Sequence, residues 1–436
     1  MRKGTRWTLA WAVVLSLLLS GLAAPAMAQE VTIRVGWWGD TNRNNLYERI
    51  LDRFEAANPG IKTVREPASW NDYWQKLTVQ AASGAAPDFM GMHAQFANDY
   101  LRRGVVEPLD KYVAEGIIDV SKMPQGALET GMVDGVLYMI PMGLTGQSLL
   151  VNTTFLAELG LEPPDFNWTW DEFAAYGARV REALDARGRR NAWFIDDNSS
   201  NLQLFRYWIR QYGREFYTPD GGLGFTEQDL ASWWAYWKEL RDKRITPDAA
   251  TSVEYANATL ENSLFVRERV AVRAVPANQL KLYVEAMPGR ELVLNRNPSR
   301  PEAGIGEFVE GAHFAISAKT TEDKKLAAAK LINFWVNTRE SYELYGLDQG
   351  VPANTEMVDF VKETADPVQL KVMEFVAVIA ELASNAPPIV FPPIGASEVD
   401  SLFRSTAEQV MYDVLTPQAA AREFIRGAQA ILARNR

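Results

Sequence analysis

The sequence predicts an α/β fold, and its first folded stretch shows the pattern on which this prediction rests. Residues 31–38 alternate between apolar and polar or small side chains, which is the period of a β-strand. Apolar side chains then recur every four positions between Leu46 and Phe54, which predicts a helix over about 44–57. A second extended segment follows at 61–66. Strand, helix and strand in this order begin a βαβ unit.

Aromatic and hydrogen-bonding side chains follow the ends of these predicted strands. In open α/β sheets, ligands bind beyond the carboxyl ends of the strands. Trp38 and Asp40 end the first strand, and Trp70 lies in the loop after the second. Rings that pack on C–H faces, beside groups that bond hydroxyls, suit a sugar. Asp40 has a second interpretation of equal weight, as the cap of the following helix.

The alternation also predicts different roles for two neighbouring aromatic residues, one in the core and one in contact with a ligand. Trp37 shares a face with the apolar residues of its strand, so we expect it in the core, whereas Trp38 lies on the other face. His93 and Gln95 come just after a third buried strand, at 87–92. A lone His is usually structural, but this location makes ligand binding by His93 equally plausible.

The composition narrows the classes of function. The chain has 436 residues, 47% of them hydrophobic, a net charge of −10 and no Cys. Disulfides, thiol catalysis and a lipid-modified Cys are therefore excluded, and an acidic surface argues against nucleic acid. A basic start, an apolar run over 7–22 and Ala26-Met27-Ala28 predict a cleaved signal peptide at 1–28 rather than a membrane anchor. We therefore expect a periplasmic protein.

Motifs for common enzyme chemistry are missing from the sequence. It has no G-x-S-x-G, no Walker loop and only two His, so neither a cofactor nor a metal is predicted. A glycosidase needs only two suitably placed carboxylates, and spacing cannot exclude that alternative. The available carboxylates are Asp40, Asp72, Asp171, Asp196, Glu261 and Glu310.

Two segments carry a resemblance to a known family. VGWWGDTNRNNLYERILDRFEAANPGIK and SWNDYWQKLTVQAASGAAPDFM resemble the extracellular solute-binding proteins of ABC sugar importers, the maltose-binding-like group. The resemblance implies a type II-like, two-lobed periplasmic-binding-protein fold with hinge segments and a central ligand cleft. It implies that 29–141 and 305–348 form lobe 1, and that 142–304 and 349–436 form lobe 2. The implied hinge segments are 136–144, 310–317 and a loop near 349–353.

The resemblance also implies a function and a second wall for the cleft. The residues expected there are Gln147, Asp196, Asn278, Glu310 and Gly311. The chain would be a monomeric, non-catalytic receptor that binds a mono- or oligosaccharide and delivers it to the permease subunits of an ABC transporter. Two alternatives stay open: a secreted glycan-processing enzyme, and a receptor for a non-sugar solute such as a phosphorylated polyol. The latter would need basic residues in the cleft.

Overall fold

The structure is a computed structural model, and it describes residues 30–256, 258–300, 304–387 and 389–435. The predicted signal peptide at 1–28 lies outside the described residues. Among the helices in these ranges, none combines the length and the apolar character needed to cross a bilayer.

Strands and helices alternate along much of the chain. The strands are β1 (Val31–Trp38), β2 (Ile61–Ala68), β3 (Phe89–His93), β4 (Met132–Val133), β5 (Val136–Leu137), β6 (Ile140–Pro141), β7 (Thr145–Asn152), β8 (Trp193–Ile195), β9 (Val270–Pro276), β10 (Leu292–Asn295), β11 (Val309–Glu310) and β12 (Ala312–Ile316). The helices are α1 (Thr41–Ala57), α2 (Trp70–Ala82), α3 (Ala94–Leu101), α4 (Asp110–Ala114), α5 (Gln125–Glu129), α6 (Thr153–Glu158), α7 (Trp170–Ala186), α8 (Leu202–Arg210), α9 (Glu227–Asp242), α10 (Ala249–Tyr255), α11 (Leu280–Ala286), α12 (Glu322–Asn337), α13 (Arg339–Tyr345), α14 (Thr355–Thr364), α15 (Pro367–Ala383), α16 (Ala396–Met411) and α17 (Pro417–Arg434).

The first sheet has the strand order β2-β1-β3-β12-β6. Strand β1 runs parallel to β2 and β3, and β12 runs antiparallel to β3 and β6. The βαβ start predicted from the sequence is therefore confirmed. Helix α1 begins at Thr41, earlier than the predicted residue 44, because the Asp40 carboxylate accepts a hydrogen bond from the Arg43 backbone N–H at 2.9 Å.

The second sheet has the order β10-β7-β9-β8, with β11 paired to β7. The chain leaves the first sheet after β6 and enters the second at β7. It returns within two residues, because Glu310 pairs with β7 while Ala312 pairs with β3. The chain therefore connects the two sheets more than once.

Three connecting segments meet beside the sheets. Leu144 and Val351 exchange two backbone hydrogen bonds of 2.7 Å. A Cβ atom on Gly311 would lie 2.1 Å from the Gly143 carbonyl oxygen, so only glycine allows this approach. The segments predicted as hinges thus lie together, while the assignment of residue ranges to the two lobes stays a prediction.

An aromatic core fills the layer of helices beside the second sheet. Trp233, Trp234 and Trp237 of α9 are each 0% exposed, and their helical spacing places them on one face of the helix. The indole N–H groups of Trp233 and Trp234 both donate to the Ser199 carbonyl, at 3.0 and 3.1 Å. Trp234 also contacts Phe403 of α16, with 5.6 Å between ring centroids. This stripe is structural and lies away from the cavity described below.

Candidate functional site

A cavity of about 1170 Å³ lies at the carboxyl ends of β1 and β3, facing the first residues of β7 and the end of β9. The residues predicted as ligand contacts that line it are Trp38, Asp40, Trp70, His93, Gln147, Asn278, Glu310 and Gly311. They come from strands of both sheets, from the starts of α1 and α2, from the turn after β9, and from the connection between β11 and β12. The fold therefore brings together residues that are scattered along the sequence.

One wall of the cavity is aromatic. The ring of Trp38 meets that of Trp70 edge to face at a centroid distance of 5.1 Å, and Trp70 meets the His93 ring at 5.5 Å. Trp70 is 38% exposed, whereas Trp38 is 6% exposed and shows only part of its ring to the cavity. Trp37 is buried, and its indole N–H donates to Asn44 Oδ1 at 2.9 Å, as expected for a core residue.

Asp40 combines the two roles that the sequence left open. Its carboxylate caps α1 through the Arg43 backbone N–H, and the residue also lines the cavity. A capping carboxylate keeps acceptor capacity on its oxygens, which can receive more than one hydrogen bond. Capping is therefore observed, and contact with a ligand stays a proposal.

Gln147 and Glu310 form one polar unit on the opposite wall. The Gln147 side-chain amide donates to a Glu310 carboxylate oxygen, and the two residues lie on the paired strands β7 and β11. Burial lowers the pKa of His93, while the nearby Glu310 charge acts in the opposite direction. The net lowering keeps the His93 imidazole neutral at pH 7.

Arg43 and Asp348 line the cavity and were not predicted from the sequence. Arg43 Nε donates to Asp348 Oδ2 at 2.7 Å, and the Asn278 side-chain amide donates to the Asp348 carbonyl at 3.0 Å. Burial alone would lower the pKa of Arg43, but the Asp348 carboxylate, together with the hydroxyls of Tyr47 and Tyr345, raises it above its ordinary value. The position of Arg43 in the sequence pointed to the site, because it lies in the first turn of the helix that follows β1.

Asp196 is a predicted contact that is not among the described lining residues of the cavity, and the side chain of Gln95 cannot be placed. Asp196 pairs with Arg273 Nη1 at 3.0 Å, and its position at the end of β8 does not reach the cavity lining. Burial raises the pKa of Asp196, and the Arg273 charge opposes that effect. Gln95 lies in α3, and its side chain falls outside the described structure. Nothing in the site therefore supports ligand contact by Asp196.

The candidate carboxylates for glycosidase chemistry separate in the fold. Of the six considered, only Asp40 and Glu310 line the cavity. Asp40 is engaged in capping α1, and Glu310 accepts from the Gln147 amide. A glycosidase needs one carboxyl group that donates a proton and a second that acts as base or nucleophile.

The sequence was compared with protein families and with known proteins, and it matches extracellular binding proteins. Residues 49–372 match the family described as bacterial extracellular solute-binding protein. A Brucella abortus (strain 2308) protein, named only as a binding protein, is 24% identical over 436 residues, which covers 98% of each chain.

Solved structures show the same fold. An extracellular solute-binding protein family 1 structure from Alicyclobacillus acidocaldarius is 26% identical, with a TM-score of 0.68 and coverage of 93% of this chain and 99% of that one. A periplasmic oligogalacturonide binding protein from Yersinia enterocolitica, in complex with saturated digalacturonic acid, is 23% identical, with a TM-score of 0.80 and coverage of 93% and 100%. The fold is the two-lobed α/β fold of periplasmic solute-binding proteins. The chain belongs to the bacterial extracellular solute-binding protein family.

Proposed function

We propose that this protein is a secreted receptor that binds a neutral mono- or oligosaccharide in the cavity and delivers it to the permease of an ABC transporter. One observation carries the proposal: Trp70 presents a partly exposed ring beside the polar groups of Gln147, Asn278 and Glu310. A pyranose has C–H faces that pack on such rings, and its hydroxyls bond to amides and carboxylates.

The charges that line the cavity favour a neutral sugar over an acidic one. Its carboxylates are those of Asp40, Glu285, Glu310, Glu343 and Asp348. The cationic side chains among its described lining residues are Arg43 and Lys281, and both have carboxylate partners, Asp348 at 2.7 Å and Asp366 at 2.8 Å. A uronate or a phosphorylated polyol would need a cation without such a partner. The digalacturonate found in the Yersinia structure is therefore not the ligand expected here.

The volume of the cavity favours more than one sugar unit. Cavities that bury drug-sized ligands span roughly 300–1000 Å³. This cavity, at about 1170 Å³, lies above that range. Closure of the lobes around a ligand would reduce the volume and bury the ring faces. The meeting of Gly143, Gly311 and the segment at Val351 supports bending there.

A titration of the mature protein, from residue 29 onward, tests the proposal. Neutral mono-, di- and trisaccharides and digalacturonate are added in turn, and tryptophan fluorescence reports binding. Twelve of the 14 Trp remain once Trp7 and Trp11 have been removed with the signal peptide. We expect saturable one-to-one binding of a neutral saccharide, without product by chromatography. Failure of every saccharide to bind would overturn the sugar proposal, and turnover would establish the enzyme alternative instead.

A further inference from the structure

A second, smaller chamber adjoins the main cavity. Its volume is about 230 Å³, and it shares four lining residues with the main cavity: His93, Gln203, Glu310 and Gly311. A ligand bound in the main cavity can therefore extend into the chamber. None of the functions considered so far uses this space.

Carbon makes up most of the surface of the chamber. Its apolar wall comes from separate parts of the fold: Leu202 of α8, Val309 of β11, the turn residue Phe216, and Val390 and Phe391 of the segment before α16. These residues are buried or half-buried. An apolar pocket of this kind favours an apolar group, because water there lacks hydrogen-bond partners.

Most of the charged side chains that line the chamber have partners: Arg206 pairs with Glu215, Glu310 accepts from Gln147, and Asp400 pairs with Arg404. Arg206 donates to both oxygens of Glu215, from Nε at 2.6 Å and from Nη2 at 2.7 Å. Its guanidinium also lies 4.4 Å from the centroid of the Phe308 ring. Thr130 and His313 are likewise joined, at 2.8 Å. These contacts satisfy much of the hydrogen-bonding capacity of Arg206, Glu215 and Thr130 within the protein.

Gln203 lies at the junction of the main cavity and the chamber, and one of its polar atoms has no partner within the described ranges. Its side-chain Oε1 is buried and has no hydrogen-bond partner among the described residues. A buried amide oxygen without a donor costs free energy that a ligand hydroxyl can recover. At the junction, Gln203 Oε1 is therefore an acceptor that a ligand hydroxyl can satisfy, and the surface of the chamber behind it is mostly apolar.

We propose that the ligand is a glycoside with an apolar ring as its aglycone. The sugar occupies the main cavity, a sugar hydroxyl next to the glycosidic bond donates to Gln203 Oε1, and the ring fills the chamber. An apolar cavity of about 150 Å³ holds benzene, so 230 Å³ accommodates a phenyl-sized or slightly larger group. The assignment of the sugar rests on the proposed function, whereas the assignment of the chamber does not.

Calorimetry with matched probes tests this proposal. Phenyl and methyl glycosides of the same neutral sugars are titrated into the mature protein, and benzyl alcohol is tested alone by ligand-observed NMR. Burial of the phenyl ring should make the phenyl glycoside bind roughly 10- to 100-fold more tightly than the methyl glycoside. Equal affinities, together with no benzyl alcohol binding, would overturn the chamber proposal while leaving a sugar receptor intact. Benzyl alcohol binding without any glycoside binding would overturn the sugar receptor and keep the chamber.

Two substitutions at one wall position provide the matched control. Val309→Phe fills the chamber, and Phe suits a strand position, so the ratio of phenyl to methyl affinities should fall towards one. Val309→Ala keeps the chamber open and removes only two methyl groups from one wall, so it should lower the ratio much less than Val309→Phe does. If Val309→Phe does not fold, Leu202→Phe fills the same space from α8. A ratio that stays high in the filled variants would contradict the proposal.

Gln203→Leu tests the junction separately. This change removes the acceptor while keeping a similar size, so glycosides should bind about 10-fold more weakly. Phenyl and methyl glycosides should lose affinity by the same factor, because the ring contacts inside the chamber remain. Unchanged glycoside affinity in this variant would contradict the role assigned to Gln203.

Discussion

The side-chain amide of Asn278 donates to the backbone carbonyl of Asp348 at 3.0 Å. Asn278 follows β9 of the second sheet, and the Asp348 carboxylate binds Arg43, in the helix that follows β1 of the first sheet. Hydrogen bonds through Asp348 thus link Arg43, which follows a strand of the first sheet, to Asn278, which follows a strand of the second. Asp348 is the central residue of this link, because both partners bond to it.

Loss of the Asp348 carboxylate should destabilise the protein. Asp348→Asn leaves the Arg43 guanidinium, with its side chain only 20% exposed, without its ionic partner. We expect the free energy of unfolding in urea to fall by about 1–3 kcal/mol. The exposed pair of Lys243 and Glu239 offers a control, since Glu239→Gln should change stability by less than about 0.5 kcal/mol.

A double-mutant cycle identifies the cause of that loss. Arg43→Met removes the cation, so Arg43→Met combined with Asp348→Asn should cost less than the sum of the single changes. Additive costs would show that the two side chains act independently and would contradict the ion pair as the origin.

Removal of the Trp70 ring should weaken sugar binding. The ring is 38% exposed and lines the cavity, so Trp70→Ala removes a stacking surface for the ligand. We expect the affinity for the best saccharide of the panel to fall about 10- to 100-fold by calorimetry. Tyr412→Ala removes an aromatic ring that is 51% exposed and outside the cavity lining, and it should leave affinity unchanged. Equal losses in both variants would remove the support for a ligand at Trp70.

A methyl group at Gly311 should disturb the junction of the connecting segments. Its Cβ would lie 2.1 Å from the Gly143 carbonyl oxygen, so the backbone must move. We expect Gly311→Ala to lower the free energy of unfolding by about 1–3 kcal/mol. Gly126→Ala is the matched control: it lies in helix α5 with no atom within 4 Å of the new Cβ, and it should be neutral or stabilising by up to about 1 kcal/mol. Chemical denaturation of both variants decides the comparison.

Stability should fall in acid, in part because of His313. Burial lowers the pKa of His313 from 6.5 to about 3, with the neighbouring His93 acting in the same direction. The unfolded chain therefore binds a proton below about pH 6.5 that the folded protein does not take up until about pH 3. At pH 5 this linkage amounts to about 2 kcal/mol of lost stability, from about 1.4 kcal/mol per pH unit.

His313→Gln removes this contribution and can keep a hydrogen bond to Thr130. Between pH 7.5 and pH 5, the variant should lose about 2 kcal/mol less stability than the parent protein. Urea unfolding at the two pH values measures the difference. Parallel losses in the two proteins would mean that His313 does not titrate with folding.

Local order could be predicted from the sequence because it depends on neighbours along the chain. The alternation over 31–38 placed Trp37 on the core face of its strand, and its ring is buried there. The recurrence of apolar side chains from Leu46 to Phe54 predicted a helix, and Ile50 and Phe54 are buried on α1. Strand and helix periods and caps act over a few residues, so sequence pattern alone determined them.

Only the tertiary structure decided which distant side chains meet at the site. Gln147 and Glu310 are 163 residues apart, and Arg43 and Asp348 are 305 apart, yet each pair is hydrogen-bonded. Asp196 had a plausible position at a strand end, but Arg273 pairs with it outside the cavity lining. No sequence pattern indicated Gln203, because its role depends on a buried oxygen atom at the junction of the two cavities. Such contacts depend on the packing of distant segments, which no local period encodes.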